Sequence, residues 1–166
     1  MATVTYEEWL GMPEVSDAIE EVINGEVRIT RAPKWFHARI LELVSRLLAS
    51  QLDEPEYFVA TAQFGLVIRK QPLTVRVPDL AVFQKRSIVE QDGFVHSAPQ
   101  LIAEVLSPGE RIAEKLADYA ALGVPEVWVI SPEARTVEVN GRLAHGVLTP
   151  QLFPSVAVEI ARMWPD

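Results

Sequence analysis

The chain has 166 residues and a formal net charge of −8, with 49% hydrophobic and 23% charged residues. Those proportions suit one folded domain with a sizeable core, and they exclude disorder. The lack of any cysteine rules out disulfides, thiolate chemistry and Cys-based zinc or iron–sulfur sites.

The first eight residues lack a basic region followed by an apolar core, and no apolar run approaches the roughly 20 residues that span a bilayer, so a cytoplasmic location without membrane attachment is the expectation. The acidic balance repels nucleic acid unless a local basic groove or a bound cation offsets it. Arg28, Arg31, Lys34 and Arg39, with Lys85-Arg86, read first as solvated faces and second as the lining of such a groove.

In chain order, Thr5 and Glu8 form a capping box for a short helix ending at Gly11. Asn24-Gly25 between β-branched segments predicts a type I′ hairpin. In its first arm Glu21 shares a face with Ile23, which draws Glu21 inward if that face packs on the core. Residues 34–52 show helical periodicity through Ile40, Leu41, Val44, Leu47 and Leu48, and His37 falls on the same stripe one turn from the start. A packed boundary histidine and a site histidine are both open there. Residues 57–60 and 65–68 read as strands, and Val75 to Phe83 as a longer one. Gln84 to Pro99 reads as a long polar connection containing Asp92-Gly93, and Leu101 to Leu106 as a further strand. A helix from about Glu110 to Leu122 ends at Gly123, a strand follows over 124–130, and strands near 136–140, 147–148 and 156–160 close the chain. The order strand–helix–strand from Leu101 to Ile130 implies a right-handed parallel crossover, and the N-terminal half is rich in hairpins. An α/β fold, a mixed sheet flanked by helices, accommodates both.

Two of these strands each carry one carboxylate in an apolar run, Asp79 in Val77-Pro78-Asp79-Leu80-Ala81-Val82-Phe83 and Glu104 in Leu101-Ile102-Ala103-Glu104-Val105-Leu106. A buried carboxylate costs several kcal/mol unless paired, protonated or bound to a cation. Alternation places Asp79 on one face with Val75, Val77, Ala81 and Phe83, and Glu104 with Ile102 and Leu106. If the strands pair with those faces together, the acids meet, and Mg²⁺ or Mn²⁺ is the natural partner for them. Lys115 on the following helix would then stabilise developing negative charge. The plainer readings are a strand-entry Pro-Asp, a buried Glu–Arg pair for Glu104, and a surface pair of Lys115 with Glu114 or Asp118.

Pro78-Asp79, then Glu104-Val105-Leu106, then Lys115 resembles the PD-(D/E)xK nuclease superfamily, and in detail the Uma-type family of restriction endonucleases. The likeness runs through Glu21-Val22-Ile23-Asn24-Gly25-Glu26, His37, Ser107-Pro108 and Gly123-Val124-Pro125-Glu126-Val127-Trp128. It implies a restriction-endonuclease-like core and Mg²⁺-dependent hydrolysis of DNA phosphodiesters. Asp79 and Glu104 would be metal ligands with the Val105 carbonyl as a third, Lys115 would supply charge from the helix, and Glu21 and His37 would complete the catalytic pocket. The family commonly has a longer loop after Ser-Pro and an Asp four residues before the helix lysine; here the loop is short and Arg111 stands in that place. Two alternatives remain at this level: an inactive nuclease-fold domain that binds or self-associates, and a metal-dependent phosphohydrolase of small substrates. A homodimer is the expected assembly. Phe153, Val156 and Trp164 are read mainly as core residues and secondarily as its interface.

Overall fold

The computed structural model describes residues 2–166. The chain begins with helix α1 (Tyr6–Leu10), the hairpin β1 (Ala18–Ile23) and β2 (Glu26–Arg31), and helix α2 (Trp35–Ala49). It continues through β3 (Tyr57–Ala60), β4 (Leu66–Lys70), β5 (Leu73–Arg76), β6 (Leu80–Gln84), β7 (Glu90–Gln91), β8 (Phe94–Val95) and β9 (Leu101–Val105). Helix α3 (Ala113–Leu122) leads to β10 (Val127–Ser131), β11 (Thr136–Val139), β12 (Arg142–Ala144), β13 (Val147–Leu148) and β14 (Val158–Glu159). Two mixed six-stranded sheets result, β2-β1-β5-β4-β8-β7 and β12-β11-β10-β9-β6-β3, with β13 and β14 paired separately.

The local signals act as their chemistry requires. Thr5 and Glu8 satisfy each other's backbone in a capping box. Asn24 and Gly25 take φ of 51° and 83°, the positive values a type I′ turn needs. The stripe Ile40, Val44 and Leu48 of α2 is fully buried against Leu80, Val82, Leu101, Ala103 and Val105. The opposite face of the same sheet presents Ala81, Phe83 and Ile102 to Tyr119 of α3. The second sheet therefore lies between α2 and α3. Its β9 and β10 run parallel, joined through α3, as the crossover pattern requires.

Two expectations change. The strand foreseen from Val75 to Phe83 is divided, with β5 ending in one sheet and β6 beginning in the other. Val77-Pro78-Asp79 carries the chain between them. Pro78 has no N–H to give a ladder, and the Asp79 carboxylate accepts the N–H of Val105 at 2.8 Å. The polar stretch after Gln84 contains a second hairpin, β7–β8, turning on Asp92 and Gly93 with φ of 55° and 81°. Phe153 and Val156 are buried and Trp164 packs half-buried against their cluster, in keeping with the core reading of these residues.

Candidate active site

Glu21, His37, Asp79, Val105 and Lys115 line one cavity of about 430 Å³, with Arg76 and Glu110 beside them. Each comes from a different segment: Glu21 from β1, His37 from the first turns of α2, Asp79 from the inter-sheet link, Val105 from the end of β9 and Lys115 from α3. Glu104 is set deeper, 1% exposed. The β6–β9 register pairs Leu80 with Ala103; one step further along the antiparallel pair puts Asp79 beside Glu104. The acids therefore meet as foreseen, but through chain passage and register, not through two matching strand faces.

The two carboxylates are electrostatically unequal. Burial, followed by the neighbouring Asp79 charge, pushes Glu104 well above the ordinary carboxylate range. Its oxygens are held by the Tyr119 hydroxyl, which donates at 2.5 Å, and by the Lys115 ammonium at 3.6 Å. For Asp79 burial also acts upward, but the His37 hydrogen bond and charge outweigh it and the net shift is down. His37 Nε2 lies 3.2 Å from Asp79 Oδ2. Its burial favours the neutral ring, while the Asp79 contact overcomes that and raises its pKa. His37 is thus both packed at the boundary of the core and part of the cavity wall.

Lys115 is not a surface pair with Glu114 or Asp118. Its ammonium is 3.0 Å from Glu110 and 3.6 Å from Glu104. Burial lowers its pKa, but the carboxylates of Glu104, Glu21 and Glu110 more than reverse this, so it stays charged. Glu110 also accepts the N–H of Ser107 at 2.9 Å, which closes the short loop onto the helix. The loop acid near the lysine is therefore Glu110, one residue before Arg111.

Arg76 had no place in the sequence reading and is central to the wall of the cavity. It is 2% exposed and pairs with Asp118 at 2.7 Å, Glu21 at 3.4 Å and Glu114 at 3.5 Å. Glu21 also accepts the N–H of Val77 at 3.0 Å. The buried arginine imagined as a partner for Glu104 exists, but it serves Glu21 and Asp118. Its signal was visible: Arg76 between Val75 and Val77 is as anomalous in an apolar run as Asp79 or Glu104.

From residue 5 to residue 161 the chain matches the model of a family described as "Putative restriction endonuclease", Uma2. The chain belongs to the Uma2 family. A similar solved structure is titled "Crystal structure of a putative nuclease belonging to DUF820", from Anabaena variabilis. The two superpose with a TM-score of 0.77 at 21% identity, covering 96% of this chain and 97% of that one. That likeness shows the restriction-endonuclease-like fold. No curated protein matches. Membership of Uma2 supports a nuclease.

A divalent cation can be tested against these residues. Among the described residues no group of three His, Cys, Asp or Glu side chains is spaced to enclose a metal ion. Mg²⁺ does not need one, since it keeps several waters and binds through one or two carboxylates plus substrate phosphate. Asp79 and Glu104 adjoin as an oxygen-only donor pair, the donor type that a hard cation takes. The donor chemistry fits a hard cation.

Proposed function

We infer that this chain is a Mg²⁺- or Mn²⁺-dependent endonuclease that hydrolyses DNA phosphodiester bonds at the cavity between its two sheets. The observation that carries this reading is the meeting of Asp79, Glu104 and Lys115 from three separate segments beside an accessible cavity. Asp79 and Glu104 would hold the ion, with the Val105 carbonyl as third ligand. When bound, it would polarise a phosphoryl oxygen and lower the pKa of a water.

The chain's own groups have separable tasks. Lys115, fixed by Glu104 and Glu110, supplies a permanent positive charge for the oxygens of the phosphate as negative charge develops on them. His37, with its raised pKa, keeps a proton towards Asp79 Oδ2 and so orients that carboxylate. Glu21, held by the Val77 N–H and Arg76, places an anion on the hairpin wall where it can position water. Tyr119 fixes the Glu104 carboxylate from behind by its hydroxyl.

Cleavage of plasmid and of single-stranded DNA at low salt tests the reading. Wild-type protein should nick DNA with Mg²⁺ or Mn²⁺ and not with chelator. Asp79→Ala should abolish cleavage, and Lys115→Ala should slow it by about 10²–10³-fold, the usual cost of deleting one charge-stabilising group. Cleavage that survives in Asp79→Ala would refute it. Hydrolysis of a small phosphodiester with no action on any DNA would instead identify a phosphohydrolase of small substrates.

A further inference from the structure

A second cavity of about 590 Å³ adjoins the first, and Arg31, Pro33, His37, Ser107 and Glu110 line both. Its distinctive wall is the first turn of α2. Phe36 lines it at 44% exposure, and Trp35 beside it is 78% exposed. Large aromatic side chains are costly to leave in water, and an exposed pair next to a reactive site marks a binding surface. Three cations line the two adjoining cavities, Arg31 both, Lys34 the second and Arg111 the first, and they are free. Arg31, Lys34 and Arg111 are exposed and form no ion pair among the described residues, whereas Arg28 is engaged by Glu114. Of the acids here, Glu110 is committed to Lys115 and Ser107, which leaves Glu133 as the opposing charge.

We propose that this surface receives unpaired nucleotides, so that the substrate of the site is a single-stranded DNA segment whose bases stack on Trp35 and Phe36 while its phosphates follow Arg31, Lys34 and Arg111. The proposal rests on the nuclease reading above and names its substrate class. A duplex keeps its base faces covered, so an exposed indole has nothing to stack on, and its affinity comes from neutralising many phosphates. A chain of net charge −8 with three free cations at the site is poorly suited to that. A single strand needs only a short basic track plus aromatic platforms, because every base offers a π face. The three cations and two rings match that requirement in kind.

The test separates binding from cleavage. Fluorescence anisotropy of a labelled strand of about 15 nucleotides, a length within the site sizes of such binders, is compared with its duplex in chelator. The proteins are wild type, Trp35→Ala, Phe36→Ala and, as control, Phe58→Ala, which removes an equally exposed ring from β3. Circular dichroism melts verify that each variant is folded. Wild type should bind the single strand at least ten-fold more tightly than the duplex. Trp35→Ala should lose about ten-fold on the strand and little on the duplex, and Phe58→Ala should change neither. Equal affinity for strand and duplex, or an unchanged Trp35→Ala, overturns the proposal even if cleavage is seen. The same proteins are then assayed with Mg²⁺ on both substrates. No cleavage of either, with strand binding still dependent on Trp35, would refute the nuclease reading and leave a single-strand binding surface.

Discussion

At the scale of single residues, the site is defined by a carboxylate held in its unfavoured state. Glu104 lies among apolar neighbours with a pKa well above its ordinary 4.5, so the folded chain binds a proton there more tightly than the unfolded chain does. Stability contributed by that proton is complete below about pH 4.5 and is lost as pH rises through the folded pKa. Asp79 runs in the opposite direction: its pKa is lowered, so its contribution is present above 3.8 and lost as pH falls. Glu104→Gln keeps an acceptor for Tyr119 and removes the titration. In metal-free urea unfolding, its stability relative to wild type should therefore rise between pH 5 and pH 8. A difference that stays constant over that range would show that Glu104 ionises normally.

At the scale of elements, Arg76 fastens three of them, since its guanidinium joins β5 to Glu21 of β1 and to Asp118 of α3. Breaking a buried pair leaves an uncompensated charge, so Arg76→Ala should cost about 3–5 kcal/mol in denaturant unfolding. A loss under 1 kcal/mol would mean that the two acids find water. The hairpin that carries Glu21 turns at Gly25, where φ is 83° and an added Cβ would lie 2.7 Å from Thr3 Cβ. Gly93 has a similar φ of 81° with nothing within 4 Å. Both Gly→Ala variants incur the left-handed penalty of about 1–2 kcal/mol; only Gly25→Ala adds the Thr3 clash. Thermal melts should rank Gly25→Ala below Gly93→Ala, and equal melting temperatures would show that Thr3 moves aside. The hairpin was legible because Asn-Gly fixes a turn locally. The division of Val75 to Phe83 between two sheets was not, because alternation alone cannot tell one long strand from two short ones. Pro78 is the available mark: a strand-entry Pro-Asp ends one ladder just before β6 begins at Leu80.

For the whole molecule, the layer order was legible: apolar stripes on α2 and the runs of β6 and β9 dictate a sheet between helices. The partnering of charges was less so. Asp79, Glu104 and Lys115 stand out in sequence as charges in apolar or crossover segments, but the Arg76–Asp118 pair depends on which face of α3 meets β5, a tertiary choice that no local pattern encodes. The separate sheet β2-β1-β5-β4-β8-β7 is hidden from the sequence for a related reason. β8 contributes only Phe94–Val95, and its parallel pairing with β4 depends on distant chain.

The adjoining carboxylates of Asp79 and Glu104 would offer a hard cation two oxygen ligands. A cation that binds only the folded state stabilises it by about 2.7 kcal/mol at a hundred times its dissociation constant. The most direct measurement is calorimetric titration of Mn²⁺ into wild type, Asp79→Ala and Glu104→Ala at pH 7.5. One site per chain in wild type, absent from both variants, is the expected result. Mn²⁺ binding that is undetectable in wild type, or that persists unchanged when either carboxylate is removed, would contradict the metal site on which the nuclease reading depends.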